Sequence, residues 1–464
     1  MTNADAVPVD AVKLYPPTVT PPRNALPIWR FVPTFLRNPL RALPEAVYHE
    51  PMFVPPPLGG RVAWVTDPAL VERVLLGEHE SFPKSPIERR VFKPILDEGI
   101  LIAEGSSWRW QRRTVAPLFR HADLVALVPQ MSAAVARHVA RWRASPRSGP
   151  LQVDQEMTEL TFDVLQATIF DGATDDEADI LKQHIGAYLE YTSWDIAWEM
   201  LSLPDWVWHP GRRPMLRSAE TLNRTMRALI ARERAKGWPG SGLAARLGQA
   251  RDPQSGDGMS DVQIINNLLT FAAAGHETTA KALTWALYLL ARAPQWQSRV
   301  REEATRVIGD GPVLASHIDA LAITRQVVKE AMRLYPPAPV MARMTHEAID
   351  IGGHRLPAGA MLVIPIFAIH RHRKLWDDAD RFDPTRFTPE REKTYARSQF
   401  MPFGFGPRTC IGMSFAMMEA VSLLATLVRD AEFECASSLA PEPVSRVTLR
   451  PKGGMPLGVT VIAR

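Results

Sequence analysis

Apolar residues recur at three- and four-residue spacing over most of the chain, which predicts a mainly helical protein with a small β-rich part. From about Leu124 to Ala235 the pattern is helical, its period broken at Pro204, Pro210 and Pro214. Lys236 to Ser260 is rich in Gly, Ser, Pro and Asp and reads as a long loop. Val262 to Ala293 is the longest uninterrupted helical stretch and is stopped by Pro294. Some 30 residues at 1.5 Å each span roughly 45 Å, enough to cross a whole domain. A further helix is predicted from Ile318 to Tyr335, ending before Pro336 and Pro337. Between Ile349 and Phe367 the segments IDIGG and MLVIPIF read as short strands with turns between them. Residues 1–45 are proline-rich and read as an extended arm, leaving 46–464 as the folded part. No internal repeat is present.

Composition narrows the class. Of 464 residues, 46% are hydrophobic and 22% charged, which is globular rather than disordered. A net charge of +4 is too small to point to nucleic acid. The 41 prolines imply many rigid corners. The two cysteines, Cys410 and Cys435, exclude a disulfide framework and an all-cysteine metal cage, and they point to a reducing compartment. The start MTNADAVPVDAV lacks the basic and apolar regions of a signal peptide, and no run of 18 apolar residues occurs. The expectation is a soluble, cytoplasmic protein with no membrane span.

The chemistry concentrates around Cys410, in FGFGPRTCIG. Gly404, Gly406 and Gly412 let the backbone bend tightly and approach a flat ligand. The next residues, GMSFAMMEAVSLLATLVRD, read as a helix, whose N-terminus favours a thiolate over a thiol. Cys435 reads instead as an inert, buried hydrophobe.

A second unusual segment is AAAGHETTA, within the long helix. Phe271, Ala274, Gly275 and Thr278 share one face. A helix-interior glycine costs about 1 kcal/mol relative to alanine, so Gly275 implies close approach by a macrocycle or by another helix. Thr278 is placed to bond back to the carbonyl of Ala274 and leave a polar notch. His276 and Glu277 do not make a zinc-protease motif, because Ala280 stands where the second histidine would be needed. Glu330 and Arg333 lie at i, i+3 and meet on one helix face. Trp108 and Arg112 are four apart on another. His370 and His372, in HRHRKLW, read as a solvated turn.

Phe403, Gly406, Arg408, Cys410 and Gly412 match F-x-x-G-x-R-x-C-x-G, and the chain thereby resembles the cytochrome P-450 family of haem-thiolate monooxygenases. AAAGHETTA resembles that family's A-G-x-[D/E]-T segment, and Glu277 and Thr278 then occupy the acid–alcohol positions that deliver protons during oxygen activation. Glu330 and Arg333 match the family's E-x-x-R helix, with Arg386 of FDPTRF completing the ion network; Thr385 stands where the family more often has Glu. This trio is assigned to structure.

Trp108 and Arg112 match the W-x-x-x-R helix, whose side chains reach a haem propionate. Arg408 and Arg343 resemble further propionate partners. Arg109, Arg113 and Arg120 are either solvated or a docking patch for an acidic electron carrier.

The resemblance implies one triangular helical prism around a buried haem b ligated by Cys410, with Phe403, Ala274 and Gly412 beside it. It also implies O2 as co-substrate, and electrons from a separate ferredoxin and its reductase. The substrate is expected to be a small hydrophobic molecule. Its pocket would be lined by the segment before Trp108, the Tyr188 to Trp208 region, Phe271, Ala274, Val340 and Met341. A thiolate-haem gas or redox sensor would have no use for Glu277 and Thr278, and a peroxide-driven enzyme would usually lack that pair.

Overall fold

The computed structural model describes residues 13–55, 60–144, 149–170, 172–201, 203–204, 206–240, 242–436 and 440–463. Its longer helices are α1 (Ile28–Arg37), α2 (Pro86–Leu96), α3 (Gly105–Val115), α4 (Val128–Ala144), α5 (Val153–Thr168) and α6 (Asp175–Glu190). They continue with α7 (Thr192–Met200), α8 (Arg212–Ala235), α9 (Asp261–Arg292), α10 (Pro294–Ile308), α11 (Ala322–Leu334) and α12 (Met413–Asp430).

The strands are short: β1 (Met52–Phe53), β2 (Val62–Val65), β3 (Leu151–Gln152), β4 (Met341–Met344), β5 (Ile349–Ile351) and β6 (His354–Leu356). After these come β7 (Met361–Ile364), β8 (Ala431–Cys435), β9 (Pro443–Ser445), β10 (Leu449–Pro451) and β11 (Pro456–Val461). One sheet has the order β1-β2-β7-β4, with β2 and β7 parallel and Val62 opposite Met361. A second has the order β3-β11-β8, and β5–β6 and β9–β10 are separate two-stranded pairs.

The main core lies under the helices, and a smaller one packs around the four-stranded sheet. Helix α9 runs through the main core. It starts at a capping box, in which Ser260 and Gln263 satisfy each other's backbone amides. Beyond its first turn it is buried nearly all round, as a helix crossing a domain must be. Trp285 stacks on Tyr335 of the chain after α11 at 3.8 Å and donates to the Leu449 carbonyl at 3.2 Å. Helix α12 packs against α4, α9 and α10.

The predicted helix from Val262 to Ala293 and the strands between Ile349 and Phe367 are present with shifts of a few residues. The helix expected from Ile318 begins at Ala322, because Ala315–Ala320 forms a separate 3-10 turn. Two expectations need correction. The arm does not run extended throughout: α1 lies within it, tolerating Pro33 at the loss of one intrahelical bond. Its first twelve residues lie outside the described ones. The expected loop from Lys236 to Ser260 contains a helix, Leu243–Gln249, anchored by buried Leu243 and Leu247.

Candidate active site

The cysteine turn is held from below by a buried ion network. Arg333 is fully buried and grips Glu330 with two bonds, 2.6 and 2.8 Å long. Its remaining donors go to the carbonyls of His370 and Ala379, both at 2.7 Å, and of Arg381 at 3.0 Å. Arg386 adds its guanidinium 3.7 Å from Glu330. A buried pair with every donor engaged braces a particular backbone arrangement.

His370 extends that brace toward the cysteine. Its Nε2 accepts from the Met401 amide at 3.0 Å, and its ring stacks on Phe400. Burial, with Arg333 and Arg371 nearby, pushes its pKa down to about 3, so it stays a neutral acceptor. The solvated turn expected at His370 and His372 is therefore corrected: both are buried, and sequence alone gave no sign that the Arg333 network would enclose them.

From Met401 the chain turns tightly. Gly404 donates to the Met401 carbonyl at 3.0 Å, and Cys410 donates to the Phe403 carbonyl at 2.9 Å. Gly406 has φ of +78°, and a Cβ there would stand 2.0 Å from the Leu75 carbonyl oxygen, so no other residue fits. Cys410 itself has exposed surface. Burial nevertheless raises its thiol pKa, against the opposing pull of the Gly412 amide and the Arg112 charge. The lowered thiol pKa expected from the helix terminus is thus outweighed by desolvation in the chain alone. A thiol with free surface and dense protein around it lines a recess.

Helix α9 has matching free surface. Within its buried length, Ala274 is exposed and Thr278 half-exposed, one turn apart on one face. Thr278 Oγ1 donates to the Ala274 carbonyl at 2.7 Å, as its position predicted. Gly275 does something else: a Cβ there would stand 3.3 Å from Leu165 of α5, so this glycine serves helix packing. Phe271 is buried and meets Phe119 edge-on at 5.3 Å.

Glu277 is buried beside this surface. Its Oε1 accepts from Thr448 at 2.8 Å and lies 2.9 Å from Arg450 Nε, both on the hairpin side of α9. Burial opposes its charge, but Arg450 and Lys281 outweigh it and hold the carboxyl below its usual range. Its Oε2 is buried without a partner among the described residues. Thr279, next along the helix, lies beside Glu419 of α12, whose carboxyl burial pushes up to about 8.

Cations gather at one edge of the site. Arg408 stacks on Trp108 at 4.2 Å and donates to the Ala103 carbonyl at 2.6 Å. Burial and the charges of Arg343 and Arg112 push it down to about 10, although Glu104 and Glu88 pull the other way. Arg343 on β4 is buried and lies 3.6 Å from Glu88. Lys84, which sequence reasoning missed, shares Glu88 at 2.7 Å and feels both arginines. Burial also lowers Arg112. Desolvated like charges at one edge call for an anion.

This arrangement fits haem b: an accessible thiol, a flat-walled helix surface at Ala274 and Thr278, and cations for two propionates. Of the basic residues on α3, Arg113 is committed to Asp252 by two bonds of 3.1 Å, and Arg109 lies 3.6 Å from Glu80. Arg120 is exposed.

Comparison with known proteins agrees. A family model described as Cytochrome P-450 matches residues 47–456. The chain is 32% identical to cyclooctatin synthase of Streptomyces melanosporofaciens, over 95% of this chain and 93% of that one. It is 30% identical to a cytokinin hydroxylase of Arabidopsis thaliana, over 85% and 77%. The crystal structure of the cytochrome P-450DA haem domain superposes with a TM-score of 0.78 at 24% identity, covering 87% of this chain and 88% of that one. With an architecture shared almost end to end and a family match that runs across the cysteine turn and α9 alike, the chain belongs to the cytochrome P-450 family and is a haem-thiolate monooxygenase of organic substrates.

Proposed function

We propose that Cys410 would ligate the haem iron, and that Arg112, Arg343, Arg408 and Trp108 would hold the propionates of the haem. Phe403 and Gly412 then flank the sulfur, and Ala274 faces the macrocycle from α9. The observation that carries this reading is the accessible Cys410 thiol within a desolvated recess beside Arg112. Bound haem supplies the activation of O2, placing one oxygen atom in the substrate and the other in water with two electrons and two protons.

The chain's own residues handle the protons and the substrate. Thr278 spends its hydroxyl hydrogen on Ala274, so its oxygen lone pairs remain to order water at the site. Glu277 is ionised and takes a proton at its unpartnered Oε2. Its partner Arg450 is partly exposed and also pairs with exposed Glu190 at 3.3 Å, a charged route to solvent. Phe271 and Ala274 give the substrate an apolar wall, which suits a hydrophobic molecule undergoing hydroxylation or epoxidation.

Electrons come from a ferredoxin with its reductase, docking near Arg109 and Arg120. The free thiols suit the cytoplasm. No helix among the described residues is long and apolar enough to cross a membrane.

The test is the reduced, carbon-monoxide-treated holoenzyme. Wild type and Cys435→Ser are expected to show the far-displaced Soret band of thiolate ligation, and Cys410→Ser to lose it. A displaced band in Cys410→Ser sinks the assignment.

A further inference from the structure

A recess of about 650 Å³ opens between α2, α7 and α8. That volume suits a small organic ligand. Its α2 wall belongs to the segment before Trp108 and its α7 wall to the Tyr188 to Trp208 stretch, two regions expected at the substrate pocket, while α8 adds Arg212, Met215 and Leu216. Tyr188 ties them together by donating to the Val91 carbonyl of α2.

Charge in this recess is unbalanced. Among the described lining residues, Arg89, Arg90, Lys93 and Arg212 stand against two carboxylates, Asp195 and Glu199. Both carboxylates are already engaged from the protein. Arg90 lies 3.1 Å from Glu199 and 3.9 Å from Asp195, and His209 bonds Asp195 at 3.0 Å. Arg89 and Lys93, one turn apart on an exposed face of α2, have no carboxylate within ion-pair distance among the described residues, and neither does Arg212. Beside them, Pro94, Met215 and Leu216 supply apolar surface. Cations next to apolar wall recognise an amphipathic anion, and guanidinium forks suit carboxylates well.

We propose that the substrate is an organic carboxylic acid whose carboxylate is held by Arg89, Lys93 and Arg212, with its skeleton resting on Met215 and Leu216. The carboxylate is an anchor, and the carbon that is oxidised lies elsewhere on the skeleton. This rests on the monooxygenase reading and narrows its substrate class.

The holoenzyme is titrated with fatty, terpenoid and aromatic carboxylic acids, each paired with its methyl ester. Binding is read from the low- to high-spin optical shift and by calorimetry. Within binding pairs the acid is expected to bind about tenfold tighter, the scale of a charge-assisted bond. Arg89→Ala combined with Lys93→Ala removes that advantage and leaves ester affinity unchanged, and high salt does the same. Equal affinity within pairs overturns the proposal, as does an acid preference that survives the double variant, or the absence of binding by every acid. Displacement of the acid by inorganic phosphate at equal concentration overturns it in favour of a phosphate site. Both substitutions lie on an exposed helix face, and the carbon monoxide spectrum verifies the loaded enzyme. Loss of that spectrum in wild type would instead count against the haem-thiolate reading.

Discussion

The Nε2 of His370 accepts the amide hydrogen of Met401 at 3.0 Å, joining the Glu330–Arg333 network to the turn that carries Cys410. Its ring is neutral, so this bond is independent of pH through the physiological range. His370→Ala leaves a buried amide without a partner and opens a void beside Phe400. The expected loss is about 2–3 kcal/mol in a denaturant titration, together with reduced haem retention after gel filtration. A loss below about 0.5 kcal/mol would show that the turn is held some other way.

Thr278 and Thr279 are adjacent and point to different neighbours, which makes them a matched pair. Thr278→Ala is expected to uncouple the cycle, raising peroxide at the expense of product. Thr279→Ala breaks a contact with Glu419 and is expected to lower stability without changing the ratio of product to reductant consumed. Coupled turnover in Thr278→Ala would remove that hydroxyl from proton handling.

Glu277 contributes stability through its depressed pKa, and the sign follows from linkage. A carboxyl held below its unfolded value of 4.5 stabilises the fold above that pH, and loses the contribution as pH falls through the native pKa. Arg450→Ala leaves the buried carboxylate with Lys281 as its nearby cation and the Thr448 hydrogen bond, at a cost of about 2 kcal/mol because Arg450 is itself partly exposed. The acid limb of the pH–activity profile should move upward in that variant. An unmoved limb would separate Glu277 from turnover.

Asp252 is held at about 2, chiefly by hydrogen bonds from Arg113. Its contribution is present above the unfolded value of 3.8 and is lost as pH falls toward 2, so Asp252→Asn should flatten acid unfolding in that window. The same pairing separates structure from docking on α3. Reversal at Arg113 should lower stability, whereas reversal at Arg109 and Arg120 should slow electron transfer from an acidic donor and weaken its salt dependence. Unchanged electron transfer in the latter variant would remove the docking face.

Much of the fold was legible because local rules acted alone. Helix α9 announces itself by length, apolar content and Pro294, and the cysteine turn by glycines with a single demanding reason to be there. What escaped was set by distant partners. His370 looks solvated until Arg333, 37 positions earlier, is seen to hold its carbonyl. Glu277 looks like a partner of Thr278 until Arg450 and Thr448 are seen to hold its carboxylate. Gly275 left a macrocycle and another helix both open from sequence, and it faces Leu165 of α5. Lys84 had no motif at all; only its position between Glu88 and the two arginines gives it meaning.

The contact of Gly406 with the Leu75 carbonyl has a practical side for anyone reshaping this enzyme. It welds the sulfur-bearing loop to the sheet-side lobe at a spot where no side chain can be inserted. Libraries that randomise the loop should therefore keep this position fixed and vary the residues around it.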